Sequence, residues 1–224
     1  MKKISALIFA FAVMLCLSVT AFAAPGAFLE SPSANLGPSL HSYENEDGDC
    51  TANVIVTPYS KRGSLPTDVK DKLEAAYEDI VESTDLANLS EELKNLAKEK
   101  GIDSAALAVS DLFDISYSDC VVHDEHGYFD VVLKADTLSR FTALLSKGDN
   151  GWELIDNAEV AIIDGQYYLR FSIDTFTPLA IVVDTSAEAP DTGDADMTWV
   201  YVSAMVISLA AIVVLVRKSR KQEA

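Results

Sequence analysis

Basic residues are scarce in this 224-residue chain: 17 Lys and Arg stand against 35 Asp and Glu, a formal charge of −18. A polyanion would be repelled, so nucleic acid is ruled out as the default partner. Three cysteines and three histidines leave little material for a multi-ligand metal site. No G-x-S-x-G, H-E-x-x-H, P-loop or G-x-G-x-x-G occurs, which removes the commonest hydrolase, metalloprotease and nucleotide-binding signatures. There is no internal repeat, hence no solenoid. Hydrophobic residues make up 49%, too many for a wholly disordered chain, and a large share lies at the two ends.

Those ends read as addresses. Met1-Lys2-Lys3 is a short basic start, Ile4 to Val19 is apolar and uncharged, and Ala21 and Ala23 are the small residues of a cleavage after Ala23. That order is a secretory signal peptide over residues 1–23, and its small-residue exit argues against an N-terminal anchor. Cys16 leaves with it. At the other end Met197 to Val216 is uncharged for 20 residues. As a helix it would measure about 30 Å, the thickness of a bilayer core. Trp199 and Tyr201 sit at its outer edge, and Arg217, Lys218, Arg220 and Lys221 follow as a cytoplasmic tail over 217–224.

Just before this span stands Ala189-Pro190-Asp191-Thr192-Gly193. Pro-x-Thr-Gly, an apolar span and a short basic tail, in that order, resemble the cell-wall sorting signal of Gram-positive surface proteins. The resemblance implies processing by a sortase, a membrane cysteine transpeptidase. It would cut Thr192–Gly193 and join Thr192 to a peptidoglycan precursor. Ala189 stands where the familiar motif has Leu, which is nearer to the variant pentapeptides of clostridial proteins. An ordinary permanent single-pass membrane protein is the competing reading of the same end.

The exported part, Ala24 to Thr192, holds 11 basic and 32 acidic residues, a net of −21. Residues 24–49 carry Pro25, Pro32 and Pro38 and end in an acidic run, which predicts an irregular lead-in. The run fails as an EF-hand loop, because Tyr43 and Val54 would occupy its first and twelfth positions. From residue 50 to 184 a folded domain is expected. Cys50 to Val56 reads as a strand ending at Pro58. Val69, Leu73, Tyr77, Ile80 and Val81 recur at helical spacing after Pro66, and Leu89, Leu93, Leu96 and Ala97 mark a second helix stopping at Gly101. Asn88-Leu89-Ser90 is a glycosylation sequon by letter and reads instead as the cap of that helix.

Beyond it come short β-type runs: 112–117, 128–134, 141–145, 152–155, 167–173 and 179–183. Gly-Asp-Asn-Gly at 148–151 and Asp-Gly at 164–165 are hairpin turns, and Trp152 is expected in the core. The phrase from Phe171 to Val182 resembles the closing strands of uncharacterised Firmicutes surface-protein domains. The expected fold is therefore α+β: two helices beside an antiparallel, Ig-like β-sandwich of about six or seven strands, with one C-terminal transmembrane helix. Residues 185–196 form a linker carrying the sorting motif.

One constellation is dense in reactive groups: Cys120, His123, Asp124, Glu125 and His126. Cys-x2-His-x2-His could present a zinc site with Cys50 as fourth ligand, or a thiolate–imidazole pair. A polar hairpin loop is the simpler account, so no catalytic residue, no metal and no cofactor is expected. Cys50 and Cys120 alone survive export, and an oxidising exterior permits either a disulfide between them or two buried thiols. Val56-Thr57-Pro58-Tyr59-Ser60-Lys61 is dimly like a pilin motif, which keeps a minor pilin subunit among the readings. The expectation is a secreted, wall-anchored surface protein of structural or binding type, not an enzyme. The ligand of its domain is not legible in the residues.

Overall fold

The computed structural model describes residues 27–45, 51–118 and 127–187. They form two antiparallel sheets with two α-helices laid against one of them. The strands are β1 (Ser39–Asn45), β2 (Val54–Pro58), β3 (Leu107–Tyr117), β4 (Phe129–Lys134), β5 (Phe141–Gly148), β6 (Gly151–Leu154), β7 (Glu159–Ile163), β8 (Gln166–Ile173) and β9 (Pro178–Asp184). The helices are α1 (Thr67–Glu82) and α2 (Glu91–Lys100). One sheet has the order β2-β3-β9-β5-β6 and the other β1-β4-β8-β7.

The five-stranded sheet is covered on both faces, and its residues show why. A strand buried on both sides can be apolar at every position. In β9 Leu179, Ile181 and Val183 face the other sheet, while Ala180 and Val182 face the helices, and all five are buried. β3 does the same across a bulge between Val109 and Asp111, after which the alternation resumes with Leu112 toward the helices and Phe113 toward the sheet. Two cores result. Phe113, Phe129, Leu133, Leu144 and Leu169 fill the space between sheets, and Leu73, Ile80, Leu93, Leu112 and Leu145 fill the space under the helices.

Local signals place the helices. Pro66 lies just before α1 with its carbonyl accepting from the Lys70 N–H at 2.9 Å, one position earlier than the expected first turn. The stripe it presents is Leu73, Ala76 and Ile80, with Tyr77 and Val81 partly buried. α2 begins where Ser90 Oγ accepts from the Leu93 N–H and ends at Gly101 in the left-handed region, φ +69°. Both hairpin turns fall where their letters suggest, Gly148–Gly151 joining β5 to β6 and Asp164-Gly165 joining β7 to β8. Trp152 is 6% exposed, in the core beneath the helices. Its Nε1 donates to Asp79 of α1 at 3.2 Å, and the Lys147 ammonium pairs with the same carboxylate.

Three expectations need correction. The irregular lead-in over residues 24–49 is too long, because Ser39–Asn45 is a strand paired with β4. Upstream of it, Phe28 bridges Val109 and is only 5% exposed, so the folded unit begins well before residue 50. Prolines stop at Pro38, and Leu40 and Tyr43 then turn inward among polar neighbours. Nine strands occur among the described residues rather than the six or seven expected, with β7 also unforeseen. Finally, β3 starts at Leu107 rather than Leu112, its early half disguised by Ser110 and Asp111. The expected transmembrane helix at 197–216 lies outside the described residues; among those described, no helix is long and apolar enough to cross a membrane.

Candidate functional site

The residues singled out by sequence lie outside the described part: Ala21 and Ala23, Cys50, Cys120, His123 and His126, and the motif Ala189, Pro190, Asp191, Thr192 and Gly193. Their described neighbours bear on one of them. The β2–β3 ladder runs down to Val54↔Tyr117, and Asn53 and Ser118 continue it. The Ser118 N–H donates to Asn53 O at 3.0 Å, and the Asn53 N–H donates to Ser118 Oγ at 3.0 Å. In the sequence Cys50 is three residues before Asn53 and Cys120 two after Ser118; both lie outside the described residues.

What the described residues do offer is the outward face of the four-stranded sheet. Among the described residues only one side of that sheet is covered, so its strands alternate. In β4 Phe129, Val131 and Leu133 turn inward, while Asp130, Val132 and Lys134 turn out. In β8 Leu169, Phe171 and Ile173 turn inward, while Arg170 and Ser172 turn out. Register then assembles outward residues from all four strands into rows. Glu44 lies opposite Asp130, and Asp130 opposite Ser172. One row along, Ser42 lies opposite Val132, Val132 opposite Arg170, and Arg170 opposite Glu159.

These rows floor a depression of about 450 Å³, walled by Asn157 from the β6–β7 connection. Asn157 is fixed, its amide donating to Ser172 O and accepting from the Ser172 N–H, both at 3.2 Å. The Ser172 hydroxyl donates to Asp130. The His41 ring, exposed at the β1 bulge, lies 4.5 Å from the Tyr168 ring and covers it. Arg170, Glu159, Glu44 and His41 are exposed and make no hydrogen bond or ion pair with another described residue. Arg170 and Glu159 face one another across β8 and β7 yet form no ion pair.

Two buried acids stand elsewhere. Asp111 at the β3 bulge accepts from Asn35 Nδ2 at 3.1 Å and from Ser110 Oγ at 2.7 Å. Burial pushes its carboxyl up, and hydrogen bonds from Ser110, Asn35 and Thr137 oppose this. Asn35 also donates to Ser110 O at 2.8 Å, so this knot straps the 27–38 segment onto β3 and is structural. Asp114, 2% exposed, has Oδ2 without a partner; burial raises it to about 6, against the lowering effect of Lys72. His41 is the one described histidine and bears no hydrogen bond, and no group of three metal-binding side chains occurs among the described residues.

Sequence reading missed the sheet face, for its members are scattered from His41 to Ser172 and only the register brings them together. Alternation within β4 and β8 was the available signal. Compared with protein-family models, curated proteins and solved structures, the chain matches none, so the functional reading rests on its own residues.

Proposed function

We propose that this is an exported, cell-wall-anchored surface protein of a Gram-positive bacterium, non-enzymatic, whose folded domain serves a structural or binding role. The observation that carries the reading is an order of features. Pro190-Asp191-Thr192-Gly193 precedes 20 uncharged residues, and four of the next five residues are basic. A sortase would acylate itself with Thr192, releasing Gly193 and everything after it, and a peptidoglycan-precursor amine would then take the Thr192 carbonyl. The hydrophobic span would hold the chain in the membrane until that step.

Placement close to the wall follows from a short tether. Thr185 is still bound to the domain, its N–H and Oγ1 both donating to Ala106 O at 2.8 Å. Six residues, 186–191, then remain before Thr192, a reach of at most about 22 Å. There is no long Ser/Thr/Pro stalk to carry the domain outward.

The test compares the native chain with Thr192→Ala in its own host. The native protein should be found in the wall fraction released only by muramidase, and the variant should stay in the membrane fraction. Native protein wholly extractable from membranes by detergent would instead make it a permanent single-pass protein. Ladders surviving boiling in detergent would make it a minor pilin subunit.

A further inference from the structure

We propose that the outward face of the four-stranded sheet is a binding site for a neutral glycan chain. The site itself needs no anchoring; only the wall as its source of glycan rests on the reading above.

The dimensions come first. Neighbouring strands are about 4.8 Å apart, so β1, β4, β8 and β7 span about 14 Å, and same-face residues along a strand are about 6.8 Å apart. The two rows of this face therefore make a platform roughly 14 Å by 7 Å, under a depression of about 450 Å³. Ligand sites commonly measure about 300–1,000 Å³. Two or three pyranose rings laid flat would fill it.

The chemistry is the second argument. A site for an apolar ligand is lined mainly by apolar and aromatic groups. Here the exposed groups free to meet a ligand are polar and of both senses. Arg170 offers a fork of N–H donors, and the Glu159 and Glu44 carboxylates offer paired acceptors, all three without partners among the described residues. A ligand that both donates and accepts from adjacent positions answers that set, and vicinal hydroxyls do so. Each carboxylate accepts from two of them, and Arg170 donates to ring and hydroxyl oxygens. Between these groups lie Val132 and, at the edge, Ile163, together with the His41 ring. They supply apolar contact for the C–H faces of sugar rings.

Charge decides against the alternatives. Glu44, Asp130 and Glu159 outnumber the single guanidinium of Arg170, and the exported chain around them carries a net of −21. A phosphate-bearing polymer would be repelled. An extended peptide would seek a sheet edge, β1 or β7 here and β2 or β6 in the other sheet, rather than a sheet face whose backbone is already paired. Tyr128, 52% exposed beside Glu44, Asp130 and Ser172, offers a single ring rather than a stacking platform, so single-site affinity rests mainly on exchanged hydrogen bonds and is weak. Many copies on one surface would bind a glycan lattice by avidity.

The experiment titrates the purified full chain in detergent micelles, by calorimetry, with four neutral tetrasaccharides: N-acetylglucosamine, cellobiose-type glucose, maltose-type glucose and mannose oligomers. A glycerol-phosphate polymer is the fifth probe. At least one tetrasaccharide should bind saturably at one site. Arg170→Ala and Glu159→Gln should each weaken it about tenfold while leaving the melting temperature unchanged. The polymer should not bind. Absence of saturable binding by all four tetrasaccharides at millimolar concentration would overturn the proposal, as would affinity unchanged in both variants or preference for the polymer. None of these outcomes touches Thr192 processing, so failure here leaves the anchoring reading separately testable.

Discussion

Asp114 should make the folded chain less stable as pH rises through the mildly acidic range. It lies on β3, 2% exposed, with Oδ2 unpartnered among the described residues and Lys72 of α1 as the opposing charge. Burial raises its carboxyl from the ordinary 3.8 to about 6. Between those two values the folded chain keeps the proton and the unfolded chain has released it, so stability falls with rising pH. At about 1.36 kcal/mol for each pH unit, the loss comes to about 3 kcal/mol and is complete above about pH 7. Asp114→Asn cannot titrate, so whatever constant offset the amide introduces drops out of a difference taken across pH. Urea unfolding of both chains at pH 4 and pH 8, followed by circular dichroism, gives that difference. Because the unfolded carboxyl is already partly ionised at pH 4, native minus variant should move by about 2.4 kcal/mol against the native chain on going to pH 8. A difference constant within about 0.5 kcal/mol, or a movement of the opposite sign, would refute the burial argument.

Other outcomes are expected from the same structure. Leu73 of α1 is fully buried beneath the helix layer, so Leu73→Ala should cost about 2–5 kcal/mol in urea unfolding. An unchanged midpoint would mean that α1 is not anchored there. Ser90→Ala removes the acceptor for the Leu93 N–H and should lower stability by about 1 kcal/mol, while Asn88→Ala, which bears no cap, should be near neutral. If Cys50 and Cys120 are bridged, the intact mass of the exported protein should be short by two hydrogens, and closing a loop of 70 residues would stabilise it by about 4 kcal/mol. Two free thiols found on denaturation without reductant would reject the bridge.

How much of this fold was legible depended on whether a local signal matched a long-range one. α2 was read whole because its Ser90 cap, Leu93–Ala97 stripe and Gly101 stop agree with one another. β9 was plain because both its faces are buried and its letters are uninterrupted. β3 was read only in part, for Ser110, Asp111 and Asp114 are buried polar residues that break the apolar run. Their burial is tolerable only because Asn35 and Thr137, distant in sequence, supply hydrogen bonds to Asp111. β1 was hidden by acids and prolines around it, and β7 by being a short edge strand with Ile162 and Ile163 exposed. The outward face of the four-stranded sheet could not be read from letters, since Glu44, Asp130, Glu159 and Arg170 come together through strand register alone.

The central claim is covalent attachment through Thr192, and one measurement meets it directly. Wall material from cells making this protein is digested with muramidase and then with a protease, and the C-terminal peptide is identified by mass spectrometry. The account predicts a peptide ending at Thr192 whose carbonyl is joined in an amide to a peptidoglycan stem-peptide amine, with nothing from Gly193 onward. A peptide running through Gly193 into the Met197–Val216 span would contradict it.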